Sequence, residues 1–329
     1  MQKVKKIIYI GGGTGASVVL GGLKVHKNVQ LTSVYPVTDS GGSTGRLLKE
    51  NKDLLPMGDL RKMLLALMPE NKTWKDILDF RFEKGEFEGH NLGNIIIANL
   101  QEKSGDIEKA IEELCKELKI KDKIMPVALK RADLCVELEN GQVIKSETNI
   151  DEVIGFDGNL KIKKAWIEPK IKANPSVLKA IKEANLIVIG PGDLYTSVVA
   201  CLCVSGIANA LKASRAKIVY VSNIMTKFGQ TNNFSVQDHV DVLEQYLGLG
   251  ILDYVIYNKT KPSLEILKQH TEIKGNFVEF LNQKNTQKIN YIGADLLGKA
   301  YKKKKSDVLI RSLIHHDSKK LAKILFELV

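Results

Sequence analysis

Lys6-Ile7-Ile8-Tyr9-Ile10-Gly11-Gly12-Gly13-Thr14-Gly15-Ala16 is an apolar run that stops at a cluster of glycines and resumes as a second apolar stretch. The run reads as a strand, Val4–Ile10, and Thr14–Leu23 reads as a helix, with the glycines as the turn between them. Glycine lets the backbone approach a ligand closely, and a helix N-terminus offers free N–H groups to an anion. The same grammar returns twice. Leu31–Val37 leads into Asp39-Ser40-Gly41-Gly42-Ser43-Thr44-Gly45-Arg46, and Leu186–Ile189 leads into Gly190-Pro191-Gly192-Asp193. One such turn says little; three in one chain point to a phosphate-bearing ligand.

Outward from these turns, strands and helices alternate through the first hundred residues. Gly45–Glu50, Asp59–Met68 and Leu92–Gln101 read as helices, and Asp106–Leu118 carries Ile107, Ile111, Leu114, Cys115 and Leu118 on one face. This alternation predicts an α/β fold, a Rossmann-like parallel sheet with helices on both faces. Residues 122–172 change character. Cys135–Glu139 and Gln142–Ser146 flank Asn140-Gly141 as a hairpin with a type I′ turn, and Leu160–Trp166 follows Asp157-Gly158. We expect a small antiparallel β insertion over 122–172. The α/β pattern then resumes with helices Pro175–Ala184, Leu194–Cys203, Ile207–Ala213, Ser235–Leu247 and Pro262–His270. Strands Lys217–Ser222 and Leu252–Tyr257 fall between them, and a helix over Asp317–Leu328 ends the pattern.

The 329 residues are 44% hydrophobic and 26% charged, the composition of a globular protein. No apolar run reaches the roughly 18 residues of a membrane span, and Ile7–Ile10 is too short for a signal-peptide core. We expect a cytoplasmic chain without membrane insertion. Cys115, Cys135, Cys201 and Cys203 suit a reducing compartment, with the Cys201/Cys203 pair read as core. The net charge of +11 raises nucleic acid as a partner. Against it, only six basic residues are Arg, the usual base reader, and aromatics for stacking make up 6%. We therefore expect no nucleic acid, and read Lys302–Lys305 as a solvated surface.

Several polar groups accompany the turns. Gly11, Gly13 and Ala16 fit the dinucleotide pattern G-x-G-x-x-[GA]; read alone, that motif suggests an NAD(P)-linked oxidoreductase. No Gly-Lys-[Ser/Thr] follows, so it is not a P-loop. Asp39 could bind a ribose hydroxyl or a metal, and Arg46 could grip phosphate in a bidentate fashion. In Gly58-Asp59-Leu60-Arg61, Asp59 is a helix cap or a ligand contact and Arg61 a salt-bridge partner or another contact. Gly89-His90-Asn91-Leu92-Gly93-Asn94 suits a substrate-facing turn, where His90 is an acid or base or a structural residue. Thr196 and Ser197 add hydroxyls after the third turn, and Asn223, Met225 and Thr226 end the next strand. His239 reads as a packed or surface side chain, and Asp317 as a helix cap rather than part of a metal cluster with His315 and His316. There is no Ser/His/Asp triad, zinc spacing or close Glu pair. An enzyme built on these residues would work by positioning phosphates and stabilising their charge, with Mg²⁺ as a candidate aid.

Taken in order, the segments Ile8–Gly15, Thr38–Leu47, Met57–Leu67, Gly89–Ile95, Gly190–Ser197, Asn223–Val240 and His316–Ala322 resemble the YvcK/CofD family. The resemblance spans almost the whole chain and implies a single CofD-like α/β domain over 1–329 that binds a nucleotide-type ligand at the strand ends. One branch transfers a phospholactyl group from a guanylyl-activated donor to a deazaflavin acceptor with Mg²⁺. The other binds UDP-sugars such as UDP-N-acetylglucosamine, supports growth on gluconeogenic carbon and maintains cell shape and wall. Asn223–Thr231, Ser235–Val240 and His316–Ala322 resemble the second branch. The resemblance then implies a nucleotide-sugar regulator rather than an enzyme, a homo-oligomer (a dimer) and a regulatory protein partner. The implied ligand set is Gly11, Gly12, Gly13, Thr14, Gly15, Asp39, Ser40, Gly41, Gly42, Ser43 and Arg46 on the first two turns. It continues with Asp59, Arg61, His90, Asn91 and Asn94, and on the far side with Gly190, Pro191, Gly192, Asp193, Tyr195, Thr196, Ser197, Asn223, Met225 and Thr226. No metal ligand and no certain cofactor is implied. Two positions depart from the family: Ser40 stands where a second Asp is common, and Lys62 where an Asn is common. The first removes one candidate metal carboxylate.

Overall fold

Strand β1 (Lys5–Ile10) lies inside a seven-stranded, wholly parallel sheet, hydrogen-bonded on one side to β2 (Val29–Tyr35), which in turn pairs with β3 (Lys123–Pro126). After β4 (Asp133–Leu138), β5 (Val143–Lys145) and β6 (Ile162–Glu168), the chain returns to the other side of β1 as β7 (Leu186–Ile189). From there β8 (Lys217–Val221), β9 (Tyr254–Asn258) and β10 (Asn290–Ala294) extend the sheet outward. The order β3-β2-β1-β7-β8-β9-β10 is the doubly wound arrangement, with its direction reversing between β1 and β7. The computed structural model describes residues 4–281, 289–299 and 312–329. The basic run Lys302–Lys305 lies outside the described residues.

Alternation along each strand explains the two cores. Ile8, Ile10, Val34, Ile187 and Ile189 face one side of the sheet, while Ile7, Tyr9, Leu31, Leu186 and Val188 face the other. A sheet apolar on both faces must be covered on both, as the helix–strand alternation predicts. The first helices are α1 (Gly13–Leu23), α2 (Gly42–Glu50), α3 (Gly58–Leu67), α4 (Lys72–Asp79), α5 (Leu92–Ser104) and α6 (Ile107–Glu117). Strands β4, β5 and β6 form a separate antiparallel sheet, and Leu134, Val136, Ile144 and Ile167 bury its inner face in the first of the two cores. A short helix α7 (Glu147–Asp151) follows β5. Among the described residues no helix is long and apolar enough to cross a membrane.

Four local differences from the sequence reading have physical causes. Lys123–Pro126 falls in the segment expected to be antiparallel, yet it pairs parallel to β2 and completes the main sheet. The hairpin loop is not type I′, because only Gly141 is left-handed (φ 86°) and Gly141 N–H closes the turn onto Leu138 O. That is a three-residue loop with glycine at its left-handed position. Leu194–Cys203 starts as a π-helical turn over Leu194–Val199, where the N–H groups of Ser197 and Val198 both reach Asp193 O. Helices α4 and α7 and strand β10 have no counterpart in the sequence reading: α7 buries only Ile150, and the apolar face of α4 is confined to Trp74, Ile77 and Leu78 over two turns.

Candidate functional site

Strands β1 and β7 are neighbours whose onward connections run to opposite sides of the sheet, which opens a crevice beyond their carboxyl ends. Both ends carry glycine turns. Gly11 N–H donates to Val34 O (3.1 Å) and Gly190 N–H to Ile10 O (3.0 Å), so each turn leaves its strand in register. Gly13 (φ 68°) and Gly190 (φ 66°) occupy the left-handed region that favours glycine. The turns touch: a Cβ on Gly15 would sit 1.9 Å from Pro191 O. Buried Tyr9 fastens them by donating its hydroxyl to Pro191 O at 2.8 Å. Ser197 brings its hydroxyl against Gly12, 3.3 Å from where a Cβ would stand, and Asn223 donates to Gly192 O at 2.9 Å.

Carboxylates surround this crevice. Asp59, from the first turn of α3, accepts Gly13 N–H at 2.8 Å, and Lys62 approaches the same oxygen at 3.5 Å. The first free N–H of α1 is thus held by a side chain of the protein itself. Asp39 accepts Gly41 N–H at 3.0 Å, and burial together with the charge of Asp59 pushes its carboxyl up to about 6. Helix α7 closes the far side. Ser40 hydroxyl lies 2.8 Å from Ser146 Oγ and 2.9 Å from Thr148 Oγ1, and Glu147 accepts Ser40 N–H at 3.4 Å. Burial, then Asp39 and Asp151, raise the Glu147 carboxyl well above the usual carboxylate range. Asp151 pairs with Lys227, whose ammonium also reaches Asp193 at 2.8 Å, and it accepts from Gln230 Nε2 at 3.1 Å and Thr196 at 3.5 Å. Burial opposes charge on Lys227, but the two carboxylates outweigh it and hold the ammonium above its usual range.

The fold therefore gathers Gly11, Gly12, Gly13, Asp39, Ser40 and Asp59 with Gly192, Asp193, Thr196, Ser197 and Asn223. Others stand apart. Arg46 donates to Glu88 O at 2.8 Å and, with His90 and Phe87, lines a separate cavity of about 330 Å³. His90 meets Ser43 Oγ at 3.2 Å, and burial plus Arg46 and Arg81 lower its pKa. Arg61, Asn91 and Asn94 are buried among themselves and their neighbours: Asn91 caps α5, Asn94 accepts Arg61 Nε at 3.0 Å, and Arg61 also reaches Leu78 O at 3.0 Å. Tyr195 is buried against Ile162 O, Met225 packs with Ile224 and Ile314, and Thr226 bonds Asn276 N–H. His239 is fully buried with its pKa down to about 4, and Asp317 caps the helix Ser318–Glu327 as the sequence suggests.

Sequence reasoning missed Glu147, Asp151, Lys62 and Lys227 as members of the crevice. Glu147 and Asp151 are one helical turn apart, but nothing local says that α7 folds back over the second and third turns. Among the described residues no three His, Cys, Asp or Glu side chains are grouped to hold a metal ion.

The comparisons agree with this fold. Residues 7–297 match the family described as 2-phospho-L-lactate transferase CofD. A Thermotoga maritima relative is 40% identical over 274 residues, covering 83% of this chain and 85% of its own. The gluconeogenesis factor of Bacillus subtilis is 36% identical, covering 100% of this chain and 99% of its own. A crystal structure of a UPF0052-family protein from Bacillus halodurans superposes with a TM-score of 0.88 at 32% identity, over 98% of this chain and 99% of that one. With the doubly wound sheet, the crevice and these full-length matches together, the chain belongs to the CofD family and to the YvcK-like group within it.

Proposed function

We propose that this chain is a cytoplasmic, nucleotide-sugar-binding gluconeogenesis factor that acts as a regulator rather than an enzyme, with a UDP-N-acetylglucosamine-type ligand. The observation that carries the reading is the junction of the Gly11–Gly15 and Gly190–Gly192 turns at the β1/β7 switch point, beside the N-terminus of α1. A diphosphate lies there against the first-turn N–H groups that Asp59 leaves open. Lys62 and Lys227 supply positive charge nearby. The name of the Bacillus subtilis relative supports a role in gluconeogenic growth. The maintenance of cell shape and wall, a homodimer and a regulatory protein partner follow from the family resemblance.

A second reading has its own observation. Asp39 and Asp59 are close enough for the charge of one to raise the pKa of the other. Mg²⁺ is commonly held through one or two carboxylates plus substrate phosphates, so this pair fits the ion. In that case the chain is a transferase that moves a phospholactyl group from a guanylyl-activated donor to a deazaflavin acceptor. The ion would neutralise phosphate charge, and Asp39 and Asp59 would hold it.

Calorimetry with UDP-N-acetylglucosamine, GDP and NAD, each with and without Mg²⁺, separates the readings. Tight, Mg²⁺-independent binding of the UDP-sugar supports the regulator. Preference for GDP with Mg²⁺ moves the assignment to the transferase, and preference for NAD overturns both.

A further inference from the structure

The wall that α7 builds across the crevice has a surplus of hydrogen-bond acceptors. Glu147 and Asp151 reach it from α7, and Asp193 from the third turn. Lys227 is the ammonium that serves Asp151 and Asp193. Two amide oxygens add to the excess. Gln230 is 3% exposed and its Nε2 donates to Asp151, yet its Oε1 has no donor; Asn223 donates to Gly192 O, yet its Oδ1 has none. Buried acceptors left without a donor are unfavourable, and crowded carboxylates raise one another's cost. A ligand group rich in O–H or N–H donors relieves both at once; a phosphate, which brings only acceptors and negative charge, does not.

We propose that α7, through Glu147 and Asp151 with Gln230 beside them, is the sugar-reading wall of the crevice. It accepts hydrogen bonds from the hydroxyl or amide groups of the hexose, while the diphosphate lies toward the glycine turns. This deepens the nucleotide-sugar reading and rests on it. The antiparallel insertion then acquires a role in recognition, because β4 and β5 carry α7 to a place between the second and third turns, where Ser40 and Lys227 anchor its two ends. Hydroxyl specificity comes from the insertion and phosphate binding from the Rossmann-like body.

The test compares UDP-N-acetylglucosamine with UDP, which lacks the hexose, by calorimetry on the full chain. Wild type binds the sugar nucleotide more tightly. Glu147→Gln and Gln230→Met each lower the ratio of the two affinities by about tenfold, the size expected when a hydrogen bond to a charged or buried acceptor is lost. Thermal unfolding and UDP binding report whether each variant is folded, and either variant alone suffices. If wild type prefers the sugar nucleotide but both folded variants keep its ratio, the wall assignment falls and the nucleotide-sugar reading stands. If wild type binds neither nucleotide, both fall. If Mg²⁺ alone binds, Glu147→Gln abolishes that binding and the ratio is unchanged, the acceptors belong to a cation and the wall assignment is overturned.

Discussion

At Asp39 the crevice stores an electrostatic conflict that a pH titration can read. Burial and the nearby Asp59 push its carboxyl up to about 6, against about 3.9 for a solvated Asp. The folded chain therefore binds this proton more tightly than the unfolded chain does. Stability from the group is greatest below about pH 4, declines as pH rises to about 6 and stays lower above that. Asp39→Asn keeps an oxygen for Gly41 N–H but removes the charge. We expect it to be more stable than wild type by about 1–2 kcal/mol at pH 7, with the difference closing near pH 4. Urea unfolding at the two pH values measures this, and a variant no more stable at neutral pH would refute the crowding. Arg61 illustrates the opposite case, a charge that the fold fully uses. Its guanidinium serves Asn94 Oδ1, Leu78 O and Asp79. Arg61→Lys keeps the charge but not the planar fork, and should cost about 2–4 kcal/mol in the same assay. A loss below about 1 kcal/mol would mean that a lysine can replace the fork.

Helix α1 separates the two uses of glycine at the scale of an element. A Cβ on Gly15 would press 1.9 Å from Pro191 O and 2.5 Å from Pro191 C, backbone atoms that Tyr9 also holds. Gly21, on the same helix, has nothing within 4 Å. We expect Gly15→Ala to destabilise by about 2–3 kcal/mol through overpacking and to weaken nucleotide binding. Gly21→Ala should stabilise by about 0.5–1 kcal/mol, since alanine is the better helix former. Equal effects in thermal melts would remove the claim that the first and third turns are locked together. The same helix shows what a linear reading can reach. Strand, glycine turn and helix follow one another within twenty residues, so the three turns, the parallel sheet and the caps at Ser235 and Asp317 are legible. Whether Asp59 turns toward Gly13 or merely caps α3 depends on residues 46 positions apart, and local pattern leaves it open. Helix α7 is harder still. Its five residues carry no apolar stripe, and its role comes from contacts with Ser40, 108 positions away from Thr148, and Lys227, 76 positions away from Asp151. Strand β3 escapes a linear reading for a related reason: four residues next to an antiparallel segment do not announce which sheet they join.

Across the whole molecule, charge is distributed against its total. The chain carries +11 overall. The crevice nonetheless collects Asp39, Asp59, Glu147, Asp151 and Asp193 around the ammonium groups of Lys62 and Lys227. The excess positive charge therefore belongs to residues outside the crevice. Bulk salt screens charges that are separated through solvent by more than about 8 Å at physiological ionic strength, and it screens short contacts inside a crevice much less. Two kinds of anion binding should consequently part company. Attachment of an acidic protein or polyanion to the lysine surface should weaken by roughly a thousandfold between about 50 and 200 mM salt if six or more contacts form. Binding of the nucleotide in the crevice should change by no more than about threefold over the same range, because its contacts with the backbone N–H groups and the nearby lysines are short and lie inside the crevice. Calorimetry of UDP-N-acetylglucosamine at several salt concentrations, beside retention on a heparin column, compares the two directly. A nucleotide affinity that falls in step with heparin retention would place the ligand on the lysine surface and empty the crevice of its assigned role.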